Sequence, residues 1–212
     1  MARCAYCGVP IASRRSDRSR DHVLARSMYP LANRARVKLL TVPACKSCNG
    51  GISDDEVTFR NVMLLAGEPN PAVQERWEDA QRSFDECDGK KRVTEIAQML
   101  VPVTVNGEER KMIFPARSPA VLRVVRKIVR GLAHHHEIGT AIPEDRVWVD
   151  VLRYPIPRDL LESTTFHHRD PEIFEYWFDE TSEDGISSIW FLKFFEKRMF
   201  VASINALPGN EG

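Results

Sequence analysis

Apolar side chains recur at helical spacing in three parts of the chain. The first part predicts a helix from 53 to about 67, with acidic side chains in the first turn, where the helix dipole favours them. The second predicts an amphipathic helix at 72–86. The third begins at Ser118 and Pro119, a capping residue followed by proline at the first helical position. It has the longest apolar stripe and is predicted to end near Gly139.

Segments rich in β-branched and aromatic residues predict β-strands. Two of them, at 101–105 and 112–114, flank the turn signal Asn106-Gly107 and predict a hairpin. Four more segments lie at 147–152, 173–178, 188–195 and 199–204. The last two are close enough in the chain to form a second hairpin. The pattern therefore predicts an α+β protein with an antiparallel sheet in its C-terminal part.

Composition is ordinary, but charge is distributed unevenly. Apolar residues make up 43% of the 212 residues and charged residues 28%, as in a globular domain. No apolar run approaches the ~18 residues that a membrane span needs. The formal net charge is zero, yet the first 50 residues contain ten Lys or Arg and only two Asp. Such a basic segment favours a polyanionic partner such as a nucleic acid, although it is also compatible with a merely soluble surface.

Two C-x-x-C pairs bound this basic segment: Cys4 with Cys7, and Cys45 with Cys48. Two such pairs predict one shared Zn²⁺ in a closed site of four thiolates, which is structural because it has no open position for water. The chain has five cysteines, and the pairing fits zinc in a reducing compartment better than disulfides. With no secretory signal at the N-terminus, we expect a cytoplasmic protein.

Between the cysteine pairs lies the dipeptide Asp21-His22, and Asn49 follows the last cysteine of the second pair. A carboxylate and an amide oxygen are suitable ligands for a hydrated Mg²⁺ or Mn²⁺, so Asp21 and Asn49 are candidate ligands of a second, catalytic ion. The imidazole of His22 can accept a proton from water as a general base. Asn49 can alternatively cap a helix.

This arrangement of Cys4, Cys7, Asp21-His22-Val23 and Val42-Pro-Ala-Cys45-x2-Cys48-Asn49 resembles a zinc-stapled HNH endonuclease of the ββα-metal type. The resemblance covers about residues 4–66. It implies that Asp21 and Asn49 bind the catalytic metal and that His22 is the general base. It also implies a β-hairpin with His22 on its first strand, followed by a short helix near Cys45.

The sequence departs from the family at Gly50-Gly51, where a continuous helix is expected. Glycine costs roughly 1 kcal/mol per helical position relative to alanine. The helix after Cys45 is therefore predicted to be short, and a second helix is predicted to begin at Ser53.

We predict two units, a zinc-stapled nuclease module at 1–68 and a helical segment plus α+β domain at 69–212. The second unit is a candidate for target choice, regulation or homodimer formation. A basic face on its long helix is expected to pair with the acidic segments at 172–184, although it could instead follow a DNA backbone. Candidate DNA contacts in the first unit are basic side chains near the Asp-His dipeptide and the second cysteine pair: Arg14, Arg15, Arg18, Arg20, Arg26 and Lys46.

The sequence is thus interpreted as a metal-dependent endonuclease, a hydrolase of DNA phosphodiester bonds with His22 as base. The alternative is a non-catalytic, zinc-stapled DNA-binding or regulatory module. In that module Asp21-His22 is an ordinary surface pair. A protein-interaction domain is a third reading, favoured if the basic side chains fold inward against acidic ones.

Overall fold

The computed structural model describes residues 2–11, 19–34, 37–66, 70–84, 89–115, 118–170, 172–181 and 186–205. In these ranges the α-helices are α1 (Leu31–Arg34), α2 (Lys46–Gly50), α3 (Ser53–Ala66), α4 (Pro71–Phe84), α5 (Gly89–Gln98), α6 (Pro119–His135) and α7 (Arg158–Ser163). The strands are β1 (Ser19–His22), β2 (Thr41–Ala44), β3 (Leu100–Val105), β4 (Glu108–Ile113), β5 (Val147–Val151), β6 (Thr165–Asp170), β7 (Phe174–Glu180), β8 (Ile186–Phe194) and β9 (Arg198–Asn205). Mixed helices and antiparallel sheets confirm the predicted α+β class.

The basic N-terminal segment folds as a hairpin followed by a short helix. β1 pairs antiparallel with β2, with Asp21 opposite Val42 and His22 opposite Thr41. α2 begins two residues after β2 and has only five residues, and α3 starts at Ser53, as the glycine pair predicted. The hairpin and short helix therefore occur in the order that the sequence predicted.

Helix α5 was not predicted, because four of its ten residues are charged and they leave no clear apolar stripe. Its apolar residues are few, and one of them, Val93, is 47% exposed. The β3–β4 hairpin was predicted, and its turn has positive φ at Asn106 and Gly107, as a two-residue hairpin turn requires. β4 begins at Glu108, earlier than predicted. The prediction missed its first four residues because they are charged and exposed.

Helix α6 begins as predicted: the Ser118 hydroxyl accepts the backbone N–H of Val121 at 3.4 Å, and Pro119 follows. It ends at His135 rather than near Gly139, because Glu137 adopts a left-handed conformation (φ 62°) and stops the helix. No helix in the described residues is both long enough and apolar enough to cross a membrane.

The basic face predicted on α6 does pair within the chain, but partly from a buried position. Lys127 is only 5% exposed, and its partners are Asp21 and Glu56 in the N-terminal region. The partners predicted for this face, the acidic segments at 172–184, are therefore wrong for Lys127.

Five strands form the C-terminal sheet in the order β5-β9-β8-β7-β6, all neighbours antiparallel. The edge strand β6 was missed, since its histidines and charged residues do not alternate with apolar ones. Trp190, Leu192 and Phe194 on β8 lie on one face of the sheet, and their side chains are buried. Phe59 of α3 packs edge-on against Phe194, with ring centroids 5.1 Å apart. Each such buried side chain contributes about 1.5–3 kcal/mol.

The core continues across the division predicted at residue 68. Buried residues of the N-terminal segment, such as Val23 and Val42, belong to the same apolar cluster as Val129 on α6 and Trp190 on β8. Where the chain divides into folding units, and whether the C-terminal unit forms a homodimer, stay predictions.

Gly131 allows α6 to approach the N-terminal segment closely. A Cβ added there would lie 3.0 Å from a Val23 methyl group and 3.1 Å from the Tyr6 hydroxyl. We expect Gly131→Val to lower the free energy of unfolding by about 1–3 kcal/mol through overpacking, as measured by urea denaturation.

The matched control is Gly50→Val, because a Cβ at this exposed glycine meets nothing within 4 Å. Its effect should stay within about 0.5 kcal/mol. Equal effects of the two substitutions would show that α6 does not pack closely on Val23 and Tyr6.

Candidate metal centre and the Asp21-His22 strand

The four paired cysteines converge on one point. The Sγ atoms of Cys4, Cys7, Cys45 and Cys48 all lie within 4.8 Å of one another. Those of Cys7 and Cys45 are 3.8 Å apart. A tetrahedral zinc ion with Zn–S bonds of about 2.3 Å places its sulfur atoms roughly 3.8 Å apart. The thiol cluster thus has the donors and spacing to hold a zinc ion.

Backbone hydrogen bonds help to position the two cysteine pairs. The Gly8 N–H bonds to the Cys4 carbonyl at 2.9 Å, and Gly8 has φ 73°, which glycine adopts without strain. The Ala5 N–H bonds to the Pro43 carbonyl at 2.9 Å and joins this turn to β2. On the other side, Cys45 caps α2, since its sulfur accepts the N–H of Cys48 at 3.5 Å. Both pairs are therefore attached to the same hairpin.

The electrostatics of the thiols also suit a metal. Burial raises the pKa of the Cys4 thiol, but backbone N–H groups of Cys45, Cys7 and Tyr6 outweigh it and lower that pKa to about 7. Burial and the neighbouring sulfurs raise the pKa of Cys48. A cation at the centre would stabilise all four thiolates together, which the backbone donors alone do not achieve.

Asp21 is buried, only 4% exposed, and its carboxylate has protein partners. The Tyr6 hydroxyl donates to Oδ2 at 2.5 Å, and the Lys127 ammonium lies 3.0 Å from the carboxylate. Burial, followed by the charge of Asp21, raises the pKa of Tyr6, so this phenol remains a donor. The charge of Asp21 is therefore neutralised by an α6 lysine 106 residues away in the chain.

Glu56 on α3 is the second carboxylate at Lys127. The ammonium donates to Glu56 Oε1 at 2.5 Å. Burial raises the pKa of Glu56, although the hydrogen bond and charge of Lys127 act in the opposite direction. Two carboxylates from distant segments thus meet at one cation position, which Lys127 Nζ occupies.

His22 lies at the end of β1, next to Asp21, and is half-buried. Because side chains alternate along a strand, the two residues point to opposite faces of the hairpin. Burial lowers the pKa of His22; the negative charge of Asp21 opposes this, while Arg26 and Lys127 add to it. Burial therefore favours the neutral form of the imidazole, which lies within electrostatic range of Asp21 and Lys127.

Asn49 contacts the strand that carries Asp21. Its side-chain amide donates to the Ser19 hydroxyl, a contact between residues 30 apart in the chain. Ser19 is two residues before Asp21 and so lies on the same face of β1. The structure brings Asn49 to the Asp21 face and leaves His22 on the other face. Their roles as metal ligands and base stay predictions.

Three of the predicted DNA contacts can be placed. Arg20 is exposed and donates to the Oγ1 and carbonyl oxygen of Thr41, at 2.9 and 3.2 Å. Arg26 and Lys46 are exposed. Arg14, Arg15 and Arg18 lie outside the described residues. The described basic side chains thus flank the hairpin and the start of α2.

Sequence reasoning missed Tyr6, Glu56 and Lys127, which surround Asp21. The one available signal is at Lys127, which immediately precedes Ile128 in the apolar stripe of α6 and lies four residues before Gly131. A lysine inside such a stripe indicates a buried acidic partner, but the sequence does not reveal which one.

Compared with protein-family models, with curated proteins and with solved structures, the chain matches none of them.

Replacing Cys45 by serine should abolish zinc binding, because three thiolates and a hydroxyl do not close the tetrahedral site. Purified wild-type protein should contain about one zinc ion per chain, measured by release to a colorimetric chelator. Cys45→Ser should contain almost none and should lose helical signal in circular dichroism. The control Cys87→Ser should retain its zinc; equal zinc content in all three proteins would exclude the cluster as a metal site.

Replacing Lys127 by methionine should leave the buried Asp21 and the half-buried Glu56 without their cation. We expect the free energy of unfolding to fall by about 3–5 kcal/mol in urea denaturation. The control Lys91→Met removes a lysine that is 79% exposed and should change stability by less than about 0.5 kcal/mol. If Lys127→Met lost as little stability as Lys91→Met, the ion pair would be shown to be solvated.

Proposed function

We propose that this protein is a metal-dependent endonuclease of the HNH type, which hydrolyses phosphodiester bonds in DNA. The observation that supports this best is the contact between Asn49 and Ser19. It joins the residue that follows the second cysteine pair to the strand that bears Asp21 and His22. The order of cysteine turn, hairpin and short helix is also the one that the resemblance implies.

In this proposal zinc is structural. The thiol cluster ties the first turn, β2 and α2 together, and so fixes the strand opposite β2. Such a staple suits a small segment whose own apolar core is limited. A reducing compartment, for which we propose the cytoplasm, keeps the four thiols available for the metal.

His22 is proposed as the general base. A nitrogen of its neutral imidazole takes a proton from water, and the water oxygen attacks phosphorus while the bond to the leaving 3′ oxygen breaks. Its lowered pKa supports this role, since a base must be unprotonated to act. Basic side chains beside the hairpin, Arg20, Arg26 and Lys46, would bind the flanking phosphates.

The proposed oxygen donors for the divalent ion are the carboxylate of Asp21 on β1 and the amide of Asn49 on α2, which contacts Ser19, two residues before Asp21. These donor types fit Mg²⁺ or Mn²⁺. Bound there, the ion would supply positive charge for the developing negative charge of the leaving group. Because the Lys127 ammonium contacts Asp21, an ion would bind in exchange for that contact.

A second function is favoured by the same ion pair. If Lys127 is the permanent partner of Asp21, the carboxylate is structural and the protein is a non-catalytic zinc-stapled module that binds DNA. The position of His22 on the opposite face of β1 from Asp21 also favours this alternative.

Plasmid nicking separates the two functions. With Mg²⁺ or Mn²⁺ we expect wild-type protein to convert supercoiled plasmid to open circles, and His22→Ala to do so at least about 100-fold more slowly. His22→Ala should keep its zinc and its thermal stability. The matched control is His134→Ala, which removes a histidine at the end of α6 and should nick at the wild-type rate.

Two outcomes would contradict the endonuclease. If wild-type protein binds DNA but never nicks it, the non-catalytic module is correct. If His22→Ala nicks as fast as wild type, His22 is not the base.

A further inference from the structure

The outer face of the β1–β2 hairpin, the face away from Asp21, carries Arg20 as well as His22. The two residues are two positions apart on β1, so their side chains project from the same face, and their Cα atoms are roughly 7 Å apart. Their partners on β2 are likewise two positions apart, because His22 lies opposite Thr41 and Arg20 lies opposite Pro43. This outer face therefore places a guanidinium group on the same surface as the proposed general base.

The Arg20 side chain leans along the hairpin toward the level of His22. Its Nε donates to Thr41 Oγ1 at 2.9 Å, and its Nη2 donates to the Thr41 carbonyl oxygen at 3.2 Å. Both acceptors belong to the residue opposite His22, whereas Pro43, the cross-strand neighbour of Arg20, accepts neither bond. Two hydrogen bonds thus fix the guanidinium at the level of His22.

The contacts to Thr41 use one edge of the guanidinium and leave another edge unused. Arginine has five N–H donors in a planar fork, and Thr41 accepts from two of them. The other donors include the pair formed by Nη1 and Nη2, and Arg20 is exposed. Within the described ranges Thr41 is the one partner of this side chain. Paired N–H donors match two oxygens of one phosphate group, so the unused edge can hold a phosphate.

Thr41 also prepares Arg20 for binding. A long side chain loses rotamer freedom when it binds a ligand, and that loss opposes binding. Arg20 is already restricted by Thr41 in the folded protein, so a phosphate would not cause the same loss again. The same two bonds also suit a purely structural role, in which Arg20 satisfies the carbonyl oxygen of an edge strand. Kinetics and DNA affinity separate the two roles.

We propose that Arg20 binds the phosphate group that is attacked at His22, and that Thr41 is the positioning residue that orients Arg20. In the transition state the non-bridging phosphate oxygens carry negative charge, and donors that are fixed in advance stabilise it without reorganising. Arg20 contributes hydrogen bonds only, and the bonds that form and break are those already described for the hydrolysis at His22. This inference rests on the proposed function, and it gives Arg20 a more specific role than the flanking contacts of Arg26 and Lys46.

Nicking kinetics at saturating Mg²⁺ distinguish the attacked phosphate from a flanking one. Arg20→Lys keeps the positive charge but loses the paired donors. We expect kcat to fall on the order of 100-fold, because the lost donors act on the transition state, and KM to change less than about threefold. The matched control Arg158→Lys makes the same exchange at an exposed arginine on α7 and should keep the wild-type kcat.

Variants of Thr41 test the positioning role, since they leave Arg20 in place. Thr41→Val keeps the shape of the side chain but removes the Oγ1 acceptor, so we expect kcat to fall about tenfold with little change in KM. Thr41→Ser restores the hydroxyl and should restore kcat. The control Thr104→Val makes the same exchange at an exposed threonine on β3 and should leave kcat unchanged. A melting temperature that falls in Thr41→Val while kcat stays at the wild-type value would show that the contact is structural only.

DNA binding tests the phosphate contact without any chemistry. Fluorescence anisotropy of a labelled duplex of about 20 base pairs, without added divalent ions, gives Kd between about 50 and 200 mM NaCl for wild type, Arg20→Gln and Arg158→Gln. Each contact to a phosphate contributes about 0.9 to the slope of log Kd against log salt. Arg20→Gln should therefore lower the slope by about 0.9, whereas Arg158→Gln should leave it unchanged. An unchanged slope in Arg20→Gln would overturn the contact.

The outcomes separate this inference from the endonuclease proposal. If Arg20→Lys raises KM and leaves kcat unchanged, Arg20 binds a flanking phosphate, and the inference is overturned while the endonuclease stands. If Thr41→Val nicks at the wild-type rate, Thr41 does not position Arg20. A wild-type protein that binds DNA but never nicks it contradicts both the endonuclease and the catalytic role of Arg20. A slope lowered by Arg20→Gln would then leave Arg20 only as a DNA contact of the non-catalytic module.

Discussion

The ammonium group of Lys127 holds together three elements that are far apart in the chain. It lies on α6, contacts Asp21 on β1 and Glu56 on α3, and is nearly excluded from water. Removing three charges from water is costly, and their mutual attraction repays that cost only when the geometry and the remaining hydrogen bonds are good. The Tyr6 hydroxyl supplies one such bond to Asp21. The orientation of the hairpin against α6 therefore depends on this ion pair as well as on apolar packing.

The thiol cluster and the ion pair constrain the same strand from two sides. The thiol cluster attaches the first turn and α2 to the hairpin, while Lys127 attaches the hairpin to α6. Asp21 and His22 are consequently held on a rigid element, which is where a positioned general base is effective. The same rigidity would present a basic surface in a protein that only binds DNA. Rigidity is thus required by both candidate functions, and chemistry at His22 is what distinguishes them.

Local patterns predicted most of the fold. The cap at Ser118, the turn at Asn106-Gly107 and the short helix before Gly51 each depend on neighbours in sequence, and each was predicted. The β6 strand depends on its pairing with β7, and the Lys127 contact depends on tertiary approach across about a hundred residues. Spacing of the cysteines predicted their convergence because two tight turns make each pair local. Nothing in the sequence indicated that Asp21 is buried against a lysine.

The contacts of Lys127 also bear on whether Asp21 can bind a divalent ion. If the ammonium left Asp21, it would still be paired with Glu56, whose Oε1 lies 2.5 Å from Nζ. The exchange would therefore leave no unpaired buried cation, and the incoming ion would neutralise Asp21. Exchanging one cation for another keeps Asp21 paired and so avoids most of the cost of an unpaired buried charge. Deleting the lysine does not avoid that cost. The buried ion pair is for this reason compatible with a metal-dependent enzyme, provided that the DNA phosphate adds a ligand that the lysine cannot replace.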